Sequence, residues 1–292
     1  QLLHTNTLIN LPAGHYIPGK IHSRVDMGSD GWLYCSTHRG STRVTTDQYH
    51  YKGDWIVRCN PETGAQEIVT HAPVAKHCIP ASVMDSERMI FYGATAPGEG
   101  EKRENFFAFD VKNNKLLYSD ENGPSRAMIL ARSTGKVYVV PGAAGKQEGP
   151  LLRFDPANPG APEDTGAGLR AATQETADGL VYVVSQGGRG GDPSTLYSFN
   201  TKTEKVEELG PVAVGGEQYV ASLCCDASGR FVYYSPGAHG GGWRDGTPLV
   251  QFDTKTRKRK VICFLDPVFT ERFGFTLKGT YSVACDPAGE RV

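Results

Sequence analysis

One unit recurs five times along this 292-residue chain: an apolar strand ending in Asp or Asn, a polar reversal and a second strand. The copies run from Trp55 to Val69, Phe106 to Ser119, Leu151 to Thr165, Leu196 to Leu209 and Leu249 to Ile262, with turns CNPETGAQ, FDVKNNKL, FDPANPGA, FNTKTEKV and FDTKTRKR. A period of roughly 50 residues marks a radial repeat, because one small sheet cannot bury its faces until neighbours stack on it. Before each copy lies another strand pair, clearest in LRAATQETADGLVYVVSQGG, where an Ala-Asp-Gly reversal precedes a buried β run. Four strands per unit make the chain all-β, a β-propeller of four-stranded antiparallel blades expected to occupy residues 1–292 as a single domain.

A sixth inner strand begins in TYSVACDPAGERV and is cut off at Val292, so six repeat units are visible. The segment HTNTLINLPAG matches the outer-strand endings VEELGPV and QEIVTHAP and is expected to complete a blade. Mixing the two termini in one blade would close the ring and remove exposed edges. A start at Gln1 without an initiator Met or leader is expected of a processed or trimmed chain. Helix is expected only near Pro267 to Phe273.

Thirty-one basic residues against 32 acidic ones leave a net charge of -1, which argues against a nucleic-acid partner needing a broad basic field. No apolar run approaches the ~18 residues that span a bilayer, so no membrane partner is expected. None of the seven cysteines falls in a CxxC or zinc-ligand spacing, and most sit in apolar strand patterns as small hydrophobes. Cys224 and Cys225 are adjacent, point to opposite faces of a strand and are poorly placed to pair with each other.

The repeat also sets the register of the less uniform inner strands. In a propeller the first strand of each blade opens at one mouth, and aligning the inner hairpins on their turns places His22, His77, Arg126, Arg170 and Tyr219 there, with Tyr281 on the same face. The second strand returns to that mouth and supplies His38, Thr95, Gln186 and His239. Arginines grip a carboxylate in a fork, while histidines and tyrosines beside them donate and accept protons. Such a set suits proton abstraction next to a carboxylate, as in β-elimination of a uronic-acid sugar: the C5 proton is removable once the carboxylate is neutralised, and the leaving oxygen needs a proton. The expected catalytic group is His22, His38, His77 and Tyr219. The expected substrate contacts are Arg126, Arg170, Gln186, His239, Trp243, Arg244 and Tyr281, with Trp243 on the glycine-rich loop GAHGGGWRDG where an indole can stack on a sugar. The insertion His38 to Asp54 is long enough to wall one side of a cleft.

With His22 in KIHS and His38 in STHRG drawn from the first complete blade, and Tyr and Arg from others, the chain resembles the β-propeller polysaccharide lyases. These are the ulvan lyases, the rhamnose-glucuronate lyases and, more distantly, oligogalacturonate lyase. The resemblance favours seven blades, with six the alternative, and implies an anionic glycan substrate and a periplasmic or extracellular location. No cofactor is expected, although the oligogalacturonate lyase resemblance would imply a divalent ion held by histidines, for which His22, His38, His77 and His239 are the candidates. A hydrolase on a similar sugar, a non-catalytic binding or assembly module, and a metal-dependent lactonase or streptogramin-lyase-like enzyme are the competing functions.

Overall fold

The computed structural model of the protein describes residues 8–40, 44–121, 123–124, 128–141, 151–165, 171–184, 194–238, 241–286, 288 and 290–292. Contacts group the chain into two compact units, Gln1–Asp164 and Thr165–Val292.

In the first unit, β1 (Lys20–Ile21), β2 (Asp26–Met27), β3 (Leu33–His38), β4 (Trp55–Cys59) and β5 (Gln66–His71) form one sheet. Both β1 and β2 pair with β3, so they are two pieces of one interrupted inner strand. A second sheet holds β6 (His77–Asp85), β7 (Ile90–Pro97), β8 (Phe106–Asp110) and β9 (Lys115–Asp120). A third holds β10 (Met128–Ala131), β11 (Lys136–Val139), β12 (Leu152–Phe154) and β13 (Glu163–Asp164). The second unit contains the sheet β14 (Ala171–Ala172), β15 (Leu180–Val184), β16 (Thr195–Asn200) and β17 (Val206–Pro211). Its other sheet is β18 (Val220–Cys225), β19 (Phe231–Pro236), β20 (Pro248–Asp253) and β21 (Lys258–Phe264). Each sheet is an antiparallel meander, and the last two strands of each are the hairpin read five times in the sequence.

The Asp or Asn that punctuates each hairpin has a direct structural cause. Its side-chain Oδ1 accepts a backbone N–H two or three residues on, which bends the chain before the return strand. Asn60 takes the N–H groups of Glu62 and Thr63 at 2.9 and 3.0 Å, and Asn200 those of Lys202 and Thr203 at 3.0 Å each. Asp110 takes that of Asn113, Asp155 that of Ala157, and Asp253 those of Lys255 and Thr256. All five reversals are therefore the same side-chain-capped turn.

Alternation along the strands gives the sheets apolar faces, and within each unit these meet the faces of the next sheet. Tyr34 and Ile56 of the first sheet pack on Ile79, Phe91 and Phe107 of the second, while Tyr92 and Phe106 pack on Leu130, Val137 and Phe154 of the third. In the second unit Tyr182 and Val184 meet Leu223, Tyr234 and Val250. Truncating a buried aromatic at such a seam typically costs about 3–5 kcal/mol, against about 1 kcal/mol for a turn cap. The seams hold the blades together and the caps set their register.

Helix is confined largely to α1 (Leu265–Phe273), two residues longer at its start than expected, closed by Gly274 at φ 70°. Of the segment HTNTLINLPAG, residues 4–7 lie outside the described residues and 8–14 form no strand; Ile9 is buried with Cys35, Trp55 and Val57 of the first sheet. Among the described residues no helix is long and apolar enough to cross a membrane. Replacing Asn200 by Ala is expected to lower stability by about 1 kcal/mol, and by Asp to leave it nearly unchanged, as measured by urea unfolding.

Candidate functional site

The end of the first sheet at which β1 opens and β3 closes brings two expected residues together. Lys20 pairs with His38 and Ile21 with Thr37, so His22, the next residue, lies diagonally across from His38 on the same face. The two imidazole centroids are 5.3 Å apart with the rings tilted by 34°. Both side chains are half-buried.

Their hydrogen bonds select opposite tautomers. His22 Nδ1–H donates to the Pro80 carbonyl at 2.8 Å, which leaves the lone pair of the neutral ring on Nε2. His38 Nδ1 accepts the Gly40 N–H at 3.0 Å, which puts its proton on Nε2. The pair thus holds Nδ1 as donor in one ring and as acceptor in the other.

Each anchor follows from local sequence. Pro80 has no N–H, so the β6–β7 ladder cannot run through it, and the register shifts between Cys78 and Ala81. The carbonyls at this bulge turn to other partners: Pro80 to His22, and Ile79 to the Ser36 hydroxyl at 3.1 Å. Gly40 has φ 67°, in the left-handed region that glycine enters without strain, and this turn aims its N–H back at His38.

Behind β3 sits a group that the sequence patterns did not single out. Asp54 is fully buried and accepts hydrogen bonds from three hydroxyls, Tyr16 at 3.0 Å, Tyr51 at 2.9 Å and Thr37. Thr37, the neighbour of His38, in turn accepts the Trp55 N–H at 3.0 Å. Tyr16 packs edge-on against Tyr51 and parallel to Trp55, which itself stacks on His71 at 4.3 Å. Burial pushes the Asp54 carboxyl up to about 6, against the lowering effect of the three hydroxyls and the Arg39 charge. Burial and the nearby carboxylate push the Tyr16 and Tyr51 hydroxyls far upward, so both remain donors. Asp54, the last residue of the insertion that begins at His38, is therefore the anchor on which the end of β3 rests.

The other expected residues are placed differently. His77 is 3 % exposed, and its Nδ1 and Nε2 face the carbonyls of Ala75 at 2.7 Å and Arg103 at 3.0 Å. It braces two backbone segments, and both nitrogens are engaged with carbonyls rather than presented as a base. It also borders a polar cleft of about 520 Å³ lined by Glu101, Lys102, Arg103 and Glu121. In the second unit Tyr219 precedes β18 and is 7 % exposed. Trp243 lies on a short 3₁₀ turn, Gly242–Asp245, and is 42 % exposed, with the Arg244 guanidinium 5.6 Å from its ring centroid. Arg244 is 3.7 Å from Glu217, and Tyr281 is exposed. Arg126, Arg170, Gln186 and His239 lie outside the described residues.

A histidine that binds a metal through one nitrogen normally donates the other N–H to a carbonyl or carboxylate. His22 has that arrangement, but in His38 the second nitrogen accepts from Gly40 and in His77 both nitrogens face carbonyls. The orientations of His38 and His77 therefore do not suit metal ligation, and among the described residues no cluster of three or more His, Cys, Asp or Glu side chains converges.

Among solved structures the chain is similar to Kuenenia stuttgartiensis hydrazine synthase, at 12% identity and a TM-score of 0.64 over 97% of this chain and 75% of that one. It is similar to an oligogalacturonate lyase from Vibrio parahaemolyticus, at 10% identity and 0.51 over 87% and 80%. Nidogen in its complex with laminin matches at 11% and 0.51 over 82% and 78%. No family model and no curated protein matches the chain. The fold is a β-propeller. At these identities the likeness is one of fold, shared by proteins as different as a lyase and a laminin-binding protein. In a propeller blade the opening of the inner strand and the close of the second strand share one end, and that is where His22 and His38 meet.

The raised Asp54 value has a definite consequence for stability. The folded chain holds this proton more tightly than the unfolded chain, whose carboxyl titrates near its ordinary 3.8. The stabilising contribution is complete below about pH 4 and is lost as pH rises through about 6. Asp54→Asn, neutral throughout, is expected to lack this slope. Between pH 4 and 7 wild type is expected to lose on the order of 3 kcal/mol relative to the variant, read from urea midpoints.

Proposed function

We infer that the protein is a carbohydrate-active enzyme, a lyase that performs β-elimination on uronic-acid-containing glycans. The observation that carries this reading is the pair of imidazoles held in opposite tautomers 5.3 Å apart at one blade end. His22 Nε2, which carries the lone pair, takes the C5 proton of the uronate. His38 Nε2–H, a neutral donor, stabilises the negative charge that grows on the carboxyl group as that proton leaves, a role neutral imidazoles can fill. The His22 imidazolium then returns a proton to the departing glycosidic oxygen, so the C–O bond breaks, a C4–C5 double bond forms and no proton is lost or gained overall.

Arg126 and Arg170 are assigned by blade register to the substrate carboxylate, and Gln186 and His239 to its hydroxyls. Tyr219 is the second candidate proton donor. Trp243, with Arg244 and Tyr281, offers exposed aromatic and cationic surface suited to a sugar ring. An oligogalacturonate lyase is among the structural neighbours, a likeness of fold. The finer likeness to ulvan and rhamnose-glucuronate lyases, the extracellular or periplasmic location and a ring of seven blades belong to this reading.

Incubation with a panel of uronate-containing glycans is expected to give an unsaturated product absorbing near ~235 nm, a signal that follows from the elimination step. His22→Ala is expected to reduce that rate by about 10²–10⁴-fold and His38→Ala by about 10²–10³-fold, with both variants still folded by circular dichroism. Reducing ends without the absorbance would point to hydrolysis. Absence of both across the panel would leave a binding module.

A further inference from the structure

The segment after α1 repeats β18 one blade further on. Val283 N–H donates to Ser222 Oγ at 3.3 Å, and the Sγ atoms of Cys224 and Cys285 lie 3.0 Å apart. Both contacts carry the same offset of 61 residues, so residues 283–285 run parallel to β18 in register. The turns that follow also match. Asp226 N–H meets the Phe231 carbonyl at 2.9 Å and its carboxylate takes the Phe231 N–H, while Asp286 N–H meets the Arg291 carbonyl at 3.0 Å and its carboxylate takes the Arg291 N–H. Cys285 thus occupies in the sixth unit the position that Cys225 holds in the fifth.

Position in the blade explains which sulfurs meet. Cys225 faces back toward β14, with its thiol 3.9 Å from the Gln174 carbonyl, whereas Cys224, on the opposite face of β18, faces forward to the next inner strand. A disulfide bond is about 2.05 Å long, so closure of this pair needs an approach of roughly 1 Å. Both side chains are half-buried, within reach of a small reagent.

We propose that Cys224 and Cys285 form a reversible intramolecular disulfide, by exchange with a small disulfide such as oxidised glutathione, that fastens residues 281–286 and Tyr281 to β18. Burial raises both thiols, and the contact between them lets either serve as donor, so the thiolate of either, taken as Cys285, begins the exchange. It attacks one sulfur of oxidised glutathione, breaking that S–S bond and releasing one glutathione. Cys224 then attacks the Cys285 sulfur of the mixed disulfide and expels the second glutathione. Two electrons pass from the protein to the small disulfide, and the two thiol protons end on the two glutathione molecules.

The test is to incubate the protein with oxidised glutathione, alkylate remaining thiols and digest with trypsin without reduction. Peptide 206–230 linked to peptide 279–291 is expected from wild type and from Cys225→Ala, and not from Cys224→Ala. Reduction with dithiothreitol is expected to lower the Tm of the oxidised wild type by several degrees, about 5 °C, and to leave Cys224→Ala unmoved. Alkylation of Cys224 and Cys285 to the same extent as in the reduced protein, or a link that runs through Cys225, would overturn the proposal.

Discussion

The seam between the first two blades must satisfy every polar group it buries, and Pro80 leaves it one donor short. Without an N–H at that position the β6–β7 ladder breaks, and two carbonyls, of Ile79 and Pro80, turn toward the neighbouring blade. The first sheet answers with the Ser36 hydroxyl and the His22 ring. A buried carbonyl left unmet costs about 1–3 kcal/mol, so the need to satisfy it holds His22 in one tautomer. The orientation of a candidate base is thus a by-product of packing two sheets around a proline.

On the other side of β3 a second buried polar group does comparable work. Asp54 draws Tyr16, Tyr51 and Thr37 onto one carboxylate, and Thr37 is the residue before His38. His22 is held from the second blade and His38 from a left-handed turn at Gly40, while Asp54 fixes the strand end between them. The two imidazoles are therefore positioned by three independent constraints, as a preorganised site requires.

The parts of this arrangement that were legible in the sequence are those written locally. The Asp or Asn of each hairpin is a cap whose partners lie two or three residues on, so a five-fold repeat exposed it and gave the register that paired His22 with His38. His77 occupies the aligned position in its own blade, yet it is covered by the chain near Arg103, a contact 26 residues away that no alignment of inner strands reveals. Asp54 carries no such local signal, because its partners are scattered at positions 16, 37 and 51 and only the fold gathers them. Cys224 and Cys285 read as two ordinary strand cysteines until the sixth inner strand is laid beside the fifth.

The central claim is that His22 and His38 rest as opposite tautomers, and nitrogen-15 NMR of the imidazoles reads this directly. Long-range proton–nitrogen correlation on the protein labelled at histidine, assigned with His22→Gln and His38→Gln, is expected to show the protonated nitrogen of His22 as Nδ1 and that of His38 as Nε2. The same tautomer at both rings, or rapid exchange between the two forms at either, would contradict the account.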